Sequence, residues 1–263
     1  MQISGSTVLL TGATGGIGHA IARSLHERGA KLILTGRRGD VLAPLAAELG
    51  ARALSVDLSS AVELDRMVGE VGPVDILVAN AALPGSGRLD SYSTEELDRA
   101  LAVNLRAPMV LTQALTPGML ERGSGHLVFI SSLAGKAATA GSSIYNATKF
   151  GLRGFAIAMR SELRDGGVGV STIYPGFIRE AGMFAEAKVK LPVGVGTRSP
   201  GDVAGAVISG IEHNRGELDV APLMMRASTL IGALAPELAG HLARRLGSAQ
   251  IANDMEAAQL AKR

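Results

Sequence analysis

Short runs of apolar residues alternate with longer stretches of helical period from the N-terminus to about position 220. The runs Thr7–Thr11, Lys31–Thr35, Arg52–Val56, Asp75–Ala79, His126–Ser131, Val168–Tyr174 and Leu218–Val220 predict strands, and the stretches between them predict helices. This alternation points to repeated βαβ units and so to a parallel sheet. In Val74–Ala79 and Leu127–Ile130 nearly every position is apolar. Strands wetted on one side would alternate, so these are expected to be covered on both faces. The fold class is α/β, with helices on both sides of about seven strands.

A chain of 263 residues fits one such unit, because α/β proteins of roughly 250 residues routinely fold as a single domain. Residues 1–247 are read as that domain, without internal repeats or low-complexity tracts. Residues 176–200, rich in Gly and Pro, form a long insertion after the sixth strand, the kind of loop that is either functional or disordered. Its end, Pro200-Gly201-Asp202-Val203, reads as a helix start. From 222 to 247 an apolar stripe of Leu223, Met224, Met225, Leu230, Ile231, Leu234, Leu238, Leu242 and Leu246 is broken at Pro236. It reads as a helical pair packed on the body or on another subunit; a peripheral lipid contact flanked by Arg226, Arg244 and Arg245 is the alternative. Residues 248–263 are a polar tail, frayed or disordered.

Composition narrows the chemistry. The chain is 47% hydrophobic and 19% charged, enough for a large core without staples, and its formal charge of +2 is scattered, which does not suggest nucleic acid. It has no cysteine, which removes disulfides, thiolate nucleophiles and Cys-based metal sites. The absence of H-E-x-x-H leaves metal catalysis unsupported, and with no G-x-S-x-G elbow a serine hydrolase is unsupported too. No apolar run approaches the ~18 residues of a spanning helix, and the N-terminus shows no signal-peptide pattern. A cytoplasmic location is expected.

The first strand runs into Thr11-Gly12-Ala13-Thr14-Gly15-Gly16-Ile17-Gly18 and then an amphipathic helix. Such a turn brings backbone close to a pyrophosphate, which rests on the N–H groups and positive dipole end of the helix. Gly12, Thr14, Gly15, Gly16, Ile17 and Gly18 are therefore candidate phosphate contacts. Past the second strand stand Arg37 and Arg38, with no carboxylate there to bind a ribose diol; two guanidiniums favour a 2′-phosphate, unless both are merely solvated. Asp57 and Leu58 follow the third strand, where Asp57 serves either adenosine or the next helix as N-cap. Asn80-Ala81-Ala82 follow the fourth.

Ser132 ends the fifth strand, where open α/β sheets place reacting groups. Tyr145 and Lys149 lie four residues apart on a helical pattern and so share a face. Lowering a tyrosine by about three units from its usual value near 10 takes roughly 4 kcal/mol. A cation some 4 Å away at an effective dielectric near 20 supplies about that, so Lys149 is expected to acidify Tyr145.

G-x-x-x-G-x-G at Gly12–Gly18, Asn80-Ala81-Ala82, Asn104, Ser132 and Tyr145-x-x-x-Lys149 together resemble the short-chain dehydrogenase/reductase family over positions 6 to about 220. The resemblance implies a Rossmann-like doubly wound sheet and an oxidoreductase moving a hydride between NADP(H), preferred over NAD(H), and a carbonyl or secondary alcohol. It implies that Ser132 binds the substrate oxygen, Tyr145 transfers the proton, Lys149 holds the nicotinamide ribose and Asn104 supports a water relay. It also implies adenine near Asp57, nicotinamide beside Pro175, Gly176 and Ile178, and a homodimer or homotetramer through Asn104–Glu121 and Tyr145–Arg164. Two departures stand out: Ala82 replaces the motif's glycine, and Glu180 stands where many relatives carry a threonine for the carboxamide. Met183, Phe184, Leu191 and Val193 suit an apolar substrate or, equally, core or subunit contacts. The rival reading is a catalytically silent dinucleotide-binding regulator or scaffold.

Overall fold

The computed structural model of the chain describes residues 1–187, 196–237, 240–241 and 254–258. Strands β1 (Thr7–Leu10), β2 (Lys31–Gly36), β3 (Arg52–Ser55), β4 (Ile76–Ala79), β5 (Gly125–Ile130), β6 (Val168–Pro175) and β7 (Glu217–Val220) form one sheet in the order β3-β2-β1-β4-β5-β6-β7. All neighbours are parallel. Each predicted strand is present to within one residue at either end.

The helices are α1 (Gly16–Glu27), α2 (Gly39–Glu48), α3 (Ala61–Val71), α4 (Thr94–Leu101), α5 (Ala107–Glu121), α6 (Ser143–Glu162), α7 (Gly182–Ala187), α8 (Pro200–His213) and α9 (Leu223–Leu234). Side chains on a strand alternate between faces, and two cores result. Val8, Leu10, Leu34 and Val128 pack under α1, α2 and α8, whereas Leu9, Leu77, Leu127 and Phe129 pack under α3, α5 and α6. The doubly wound α/β fold expected from the sequence is thus observed. Because the chain winds outward from β1 in one direction and from β4 in the other, a crevice opens beyond the carboxyl ends of these two strands.

Local chemistry sets the helix starts. Ser60 caps α3 by accepting from the Glu63 N–H, so the capping role considered for Asp57 belongs to Ser60. Reciprocal Ser93–Glu96 and Ser199–Asp202 boxes start α4 and α8, the latter with Pro200 in its first turn as its sequence suggested.

The core holds a titratable histidine that the site does not use. His126 on β5 is 1% exposed, and its Nε2 lies 2.8 Å from the Ser171 Oγ on β6. Burial, with smaller contributions from the N-terminal ammonium and Arg160, lowers its pKa from 6.5 to about 3. Below about pH 6.5 the unfolded chain takes up a proton that the folded chain refuses, so this residue should cost roughly 2 kcal/mol of stability by pH 5. Urea melts at pH 7 and pH 5 test this. His126→Gln should lose less stability than the wild-type chain between the two, and equal losses would clear His126 of the effect.

The described part of the C-terminal stripe lies mostly away from the body of the chain. Met225 packs with Leu133, Tyr174 and Ala221, but Leu223, Met224, Leu230, Ile231 and Leu234 are exposed on α9. The apolar side chains of this helix are therefore mostly not its packing face on the body of the chain. Leu238, Leu242 and Leu246 lie outside the described residues; residues 254–258 are helical. The 176–200 insertion carries α7 and a bridge pairing Ile178 with Arg198, and Leu191 and Val193 lie outside the described residues. On the helices where self-association is expected, Leu120, Phe150 and Ile157 are exposed.

Candidate active site

The crevice is built by close main-chain approach. Gly12 has φ +67°, and a Cβ there would lie 2.7 Å from the Ala81 Cα, so only glycine lets the β1 turn sit against the end of β4. Thr11 Oγ1 accepts the N–H groups of Asn80 and Ala81 at 3.0 and 3.1 Å. Asn80 Nδ2 returns bonds to the carbonyls of Thr11 and Gly12 at 3.0 and 3.1 Å. Thr11 is thus a structural member of the site that the sequence reading did not single out, and the Asn80 side chain is committed to holding the glycine turn.

At the mouth of that turn, α1 has no side-chain cap and no acidic residue in its first turn. Its free N–H groups and dipole are open to an anion. Arg37 and Arg38 are exposed at the end of β2, and Arg38 Nη2 donates to the Thr14 carbonyl. Asp57 accepts from the Ser59 N–H and hydroxyl at 2.9 and 2.7 Å. Burial alone would raise its pKa, but these bonds and the field of Arg37 hold it below the usual carboxylate value.

Ser132, Tyr145 and Lys149 meet at the far end of the crevice. Ser132 Oγ accepts from the Ala134 N–H at 3.2 Å, and a hydrogen bond links its side chain to Tyr145. Lys149 is 2% exposed, donates to the Ile130 carbonyl at 2.9 Å and stands 5.6 Å from the centre of the Tyr145 ring. Burial lowers its pKa to about 8. Burial likewise pushes the Tyr145 phenol up, opposed by the bond with Ser132. In this arrangement the Lys149 ammonium is turned to the Ile130 carbonyl, and burial is the main influence on the phenol.

Asn104 takes a different place from the other predicted residues. It sits in a π-helical turn, Ala102–Arg106, between α4 and α5, and is 1% exposed. Its Oδ1 accepts the Leu83 N–H at 2.6 Å, and its Nδ2 donates to the Leu83 carbonyl at 3.0 Å and to Thr148 Oγ1 at 3.4 Å. Thr148 in turn bonds the Tyr145 carbonyl. The side chain thus braces the loop after β4 against α6, behind the wall of the cavity. Gly85 in that loop was also missed: a Cβ there would lie 2.9 Å from both the Cβ and the N of Tyr145. A glycine needed for close approach from a loop leaves no periodic mark in one sequence.

A single cavity of about 1200 Å³ joins these parts. It is lined by Gly12, Thr14, Gly15, Gly16, Ile17 and Gly18, by Arg37, Arg38, Asp57 and Leu58, and by Asn80, Ala81 and Ala82. Ser132, Tyr145, Lys149, Pro175, Gly176 and Ile178 complete the predicted set, which Asn104 alone does not join. Glu180 has φ +72°, is exposed and pairs with Arg179 at 2.7 Å; its neighbour Ala181 lines the cavity instead. The volume exceeds the roughly 300–1000 Å³ of a usual small-molecule pocket. Among the described residues no cluster of three or more His, Cys, Asp or Glu is placed to hold a metal, and no helix is long and apolar enough to cross a membrane.

Comparison with known proteins agrees with this geometry. The short chain dehydrogenase family model matches residues 6–191. The chain belongs to the short-chain dehydrogenase family. Within that family it is 37% identical to the ketoacyl reductase HetN of Nostoc sp. over 227 residues, 83% of this chain and 79% of that protein. A short-chain dehydrogenase from Sphingobium yanoikuyae, solved in complex with NADPH, superposes with a TM-score of 0.76 at 28% identity, covering 89% of this chain and 95% of that one. A 3-ketoacyl-(acyl-carrier-protein) reductase from Brucella melitensis, solved with NADH, superposes with a TM-score of 0.74 at 26% identity, covering 83% and 97%. Membership makes the chain an oxidoreductase of a dehydrogenase family.

Proposed function

We propose that this family member is an NADP(H)-dependent reductase of ketones, working reversibly on secondary alcohols, with Tyr145 as its acid and base. The observation that carries the reading is that Ser132, Tyr145 and the buried Lys149 line one cavity with the uncapped N-terminus of α1. The N–H groups of that helix start would hold the pyrophosphate, Arg37 and Arg38 the 2′-phosphate, Asp57 and Leu58 the adenosine, and Pro175, Gly176 and Ile178 the nicotinamide end. Bound NADPH supplies the hydride.

The rest is done by the chain. Ser132 donates to the carbonyl oxygen and fixes its position. The Tyr145 hydroxyl, its pKa raised by burial, gives its proton to that oxygen as the carbonyl becomes an alcohol. Lys149, held by the Ile130 carbonyl, keeps a positive charge beneath the phenol and stabilises the phenolate that remains. Asn104 keeps the Leu83 segment and Thr148 in register, which keeps Tyr145 on its face of α6.

NADPH consumption with aliphatic, aromatic, steroid and acyl-thioester ketones tests the reading. Turnover of at least one class is the expected result. Tight NADPH binding with no consumption across the panel would instead favour a dinucleotide-binding scaffold.

A further inference from the structure

The cavity does not end at the catalytic pair. Met225, Ser228, Thr229 and Gly232 stand at positions i, i+3, i+4 and i+7, the spacing of one helix face, and all four line the cavity. This face starts at the reaction centre. A Cβ on Gly176 would lie 3.2 Å from the Met225 methyl, and the preceding Pro175 carbonyl accepts a hydrogen bond from Ser132 at 3.4 Å. From Met225 to Gly232 the helix runs outward about 10 Å at the usual rise.

The polar groups on this face are already spoken for. Ser228 Oγ and Thr229 Oγ1 each donate to the Met225 carbonyl at 2.8 Å. With their hydroxyls turned to the helix backbone they present carbon to the cavity, and their small size with that of Gly232 leaves a slot along the helix. Ala137, Ala138, Met183 and Phe184 line the same cavity, with Phe184 braced by the Phe177 ring at 4.8 Å. A helix face about 10 Å long that offers carbon to the cavity suits a chain of methylenes, and has little to offer a charged or hydroxylated group.

We infer that the inner face of α9 is a chain channel, that the substrate is a ketone bearing an extended unbranched apolar chain, and that Gly232 sets the length accepted. The inference rests on the ketone-reductase reading and deepens it. Chain length should act through burial: each methylene taken up is worth about fourfold in kcat/KM, carried mainly by KM. Gly232→Leu would place a branched side chain across the slot while favouring the helix itself.

The test is a series of methyl ketones from 2-butanone to 2-dodecanone. The expected result is a steep rise of kcat/KM with length for the wild-type chain and a plateau for Gly232→Leu. The long-to-short ratio should fall about a hundredfold, with melting temperatures matched. The same series is titrated by calorimetry against Tyr145→Phe, and against Tyr145→Phe combined with Gly232→Leu, both saturated with NADP⁺. Turnover without length dependence, or an equal rise in Gly232→Leu, overturns the channel and leaves the reductase standing. Affinity that climbs with length and is cut by Gly232→Leu, without turnover by the wild-type chain, keeps the channel and removes the reductase. If affinity and turnover are both indifferent to length, the channel is wrong.

Discussion

Tyr145→Phe should lower ketone turnover by about 10² to 10⁴ while leaving NADPH affinity within roughly twofold. The substitution removes one oxygen and little else. The main chain and Cβ at position 145 stay packed against the loop at Gly85, and Lys149 keeps its bond to Ile130. Ser132 loses a partner but still accepts from Ala134. A large loss of rate with an unchanged melting temperature and fluorescence-monitored NADPH binding would therefore report the missing proton donor. Turnover at the wild-type rate in the variant would take Tyr145 out of the chemistry.

The second large effect concerns the choice of dinucleotide. NADPH should be used better than NADH, and Arg37→Ala and Arg38→Ala should each cut the NADPH-to-NADH ratio of kcat/KM. A charge-assisted hydrogen bond is worth about 1.5–3 kcal/mol, so each loss should cost roughly 10- to 100-fold in that ratio. Arg38 should contribute the more specific share, because its guanidinium is already tethered to the Thr14 carbonyl and loses less freedom on binding. Similar proteins have been solved with NADPH and with NADH, so the two arginines carry this prediction. An equal or better NADH efficiency in the wild-type chain would end it.

The strands were readable because both faces of the sheet are dry: runs such as Leu127–Ile130 need no arbitration between strand and amphipathic helix. The reacting groups were readable because their spacing survives in one dimension, as with the four residues from Tyr145 to Lys149. What escaped depends on approach in space. Thr11 and Gly85 act through main chain that comes from distant segments. Asn104 turned out to brace Leu83 and Thr148, contacts that span 21 and 44 residues. The protonation of Tyr145 depends on burial, which a distance-and-charge argument leaves out. On α9 the apolar Leu223, Leu230 and Leu234 are exposed on the single chain, as a stripe meant for another subunit would be, and the unremarkable Ser228, Thr229 and Gly232 line the cavity.

The sheet is two consecutive pieces joined at one seam: β3-β2-β1 come from residues 7–55 and β4-β5-β6-β7 from residues 76–220. Within it, the β1–β4 ladder, the bonds of Thr11 and Gly12 with Asn80 and Ala81, and the bond from the Thr7 N–H to Asp75 join the pieces. The nucleotide crevice lies over this seam, so a dinucleotide seated there would touch both pieces and act as a clasp between them. A nucleotide at a hundred times its dissociation constant adds about 2.7 kcal/mol to the stability of the chain that binds it. Saturating NADP⁺ should thereby raise the melting temperature of the chain.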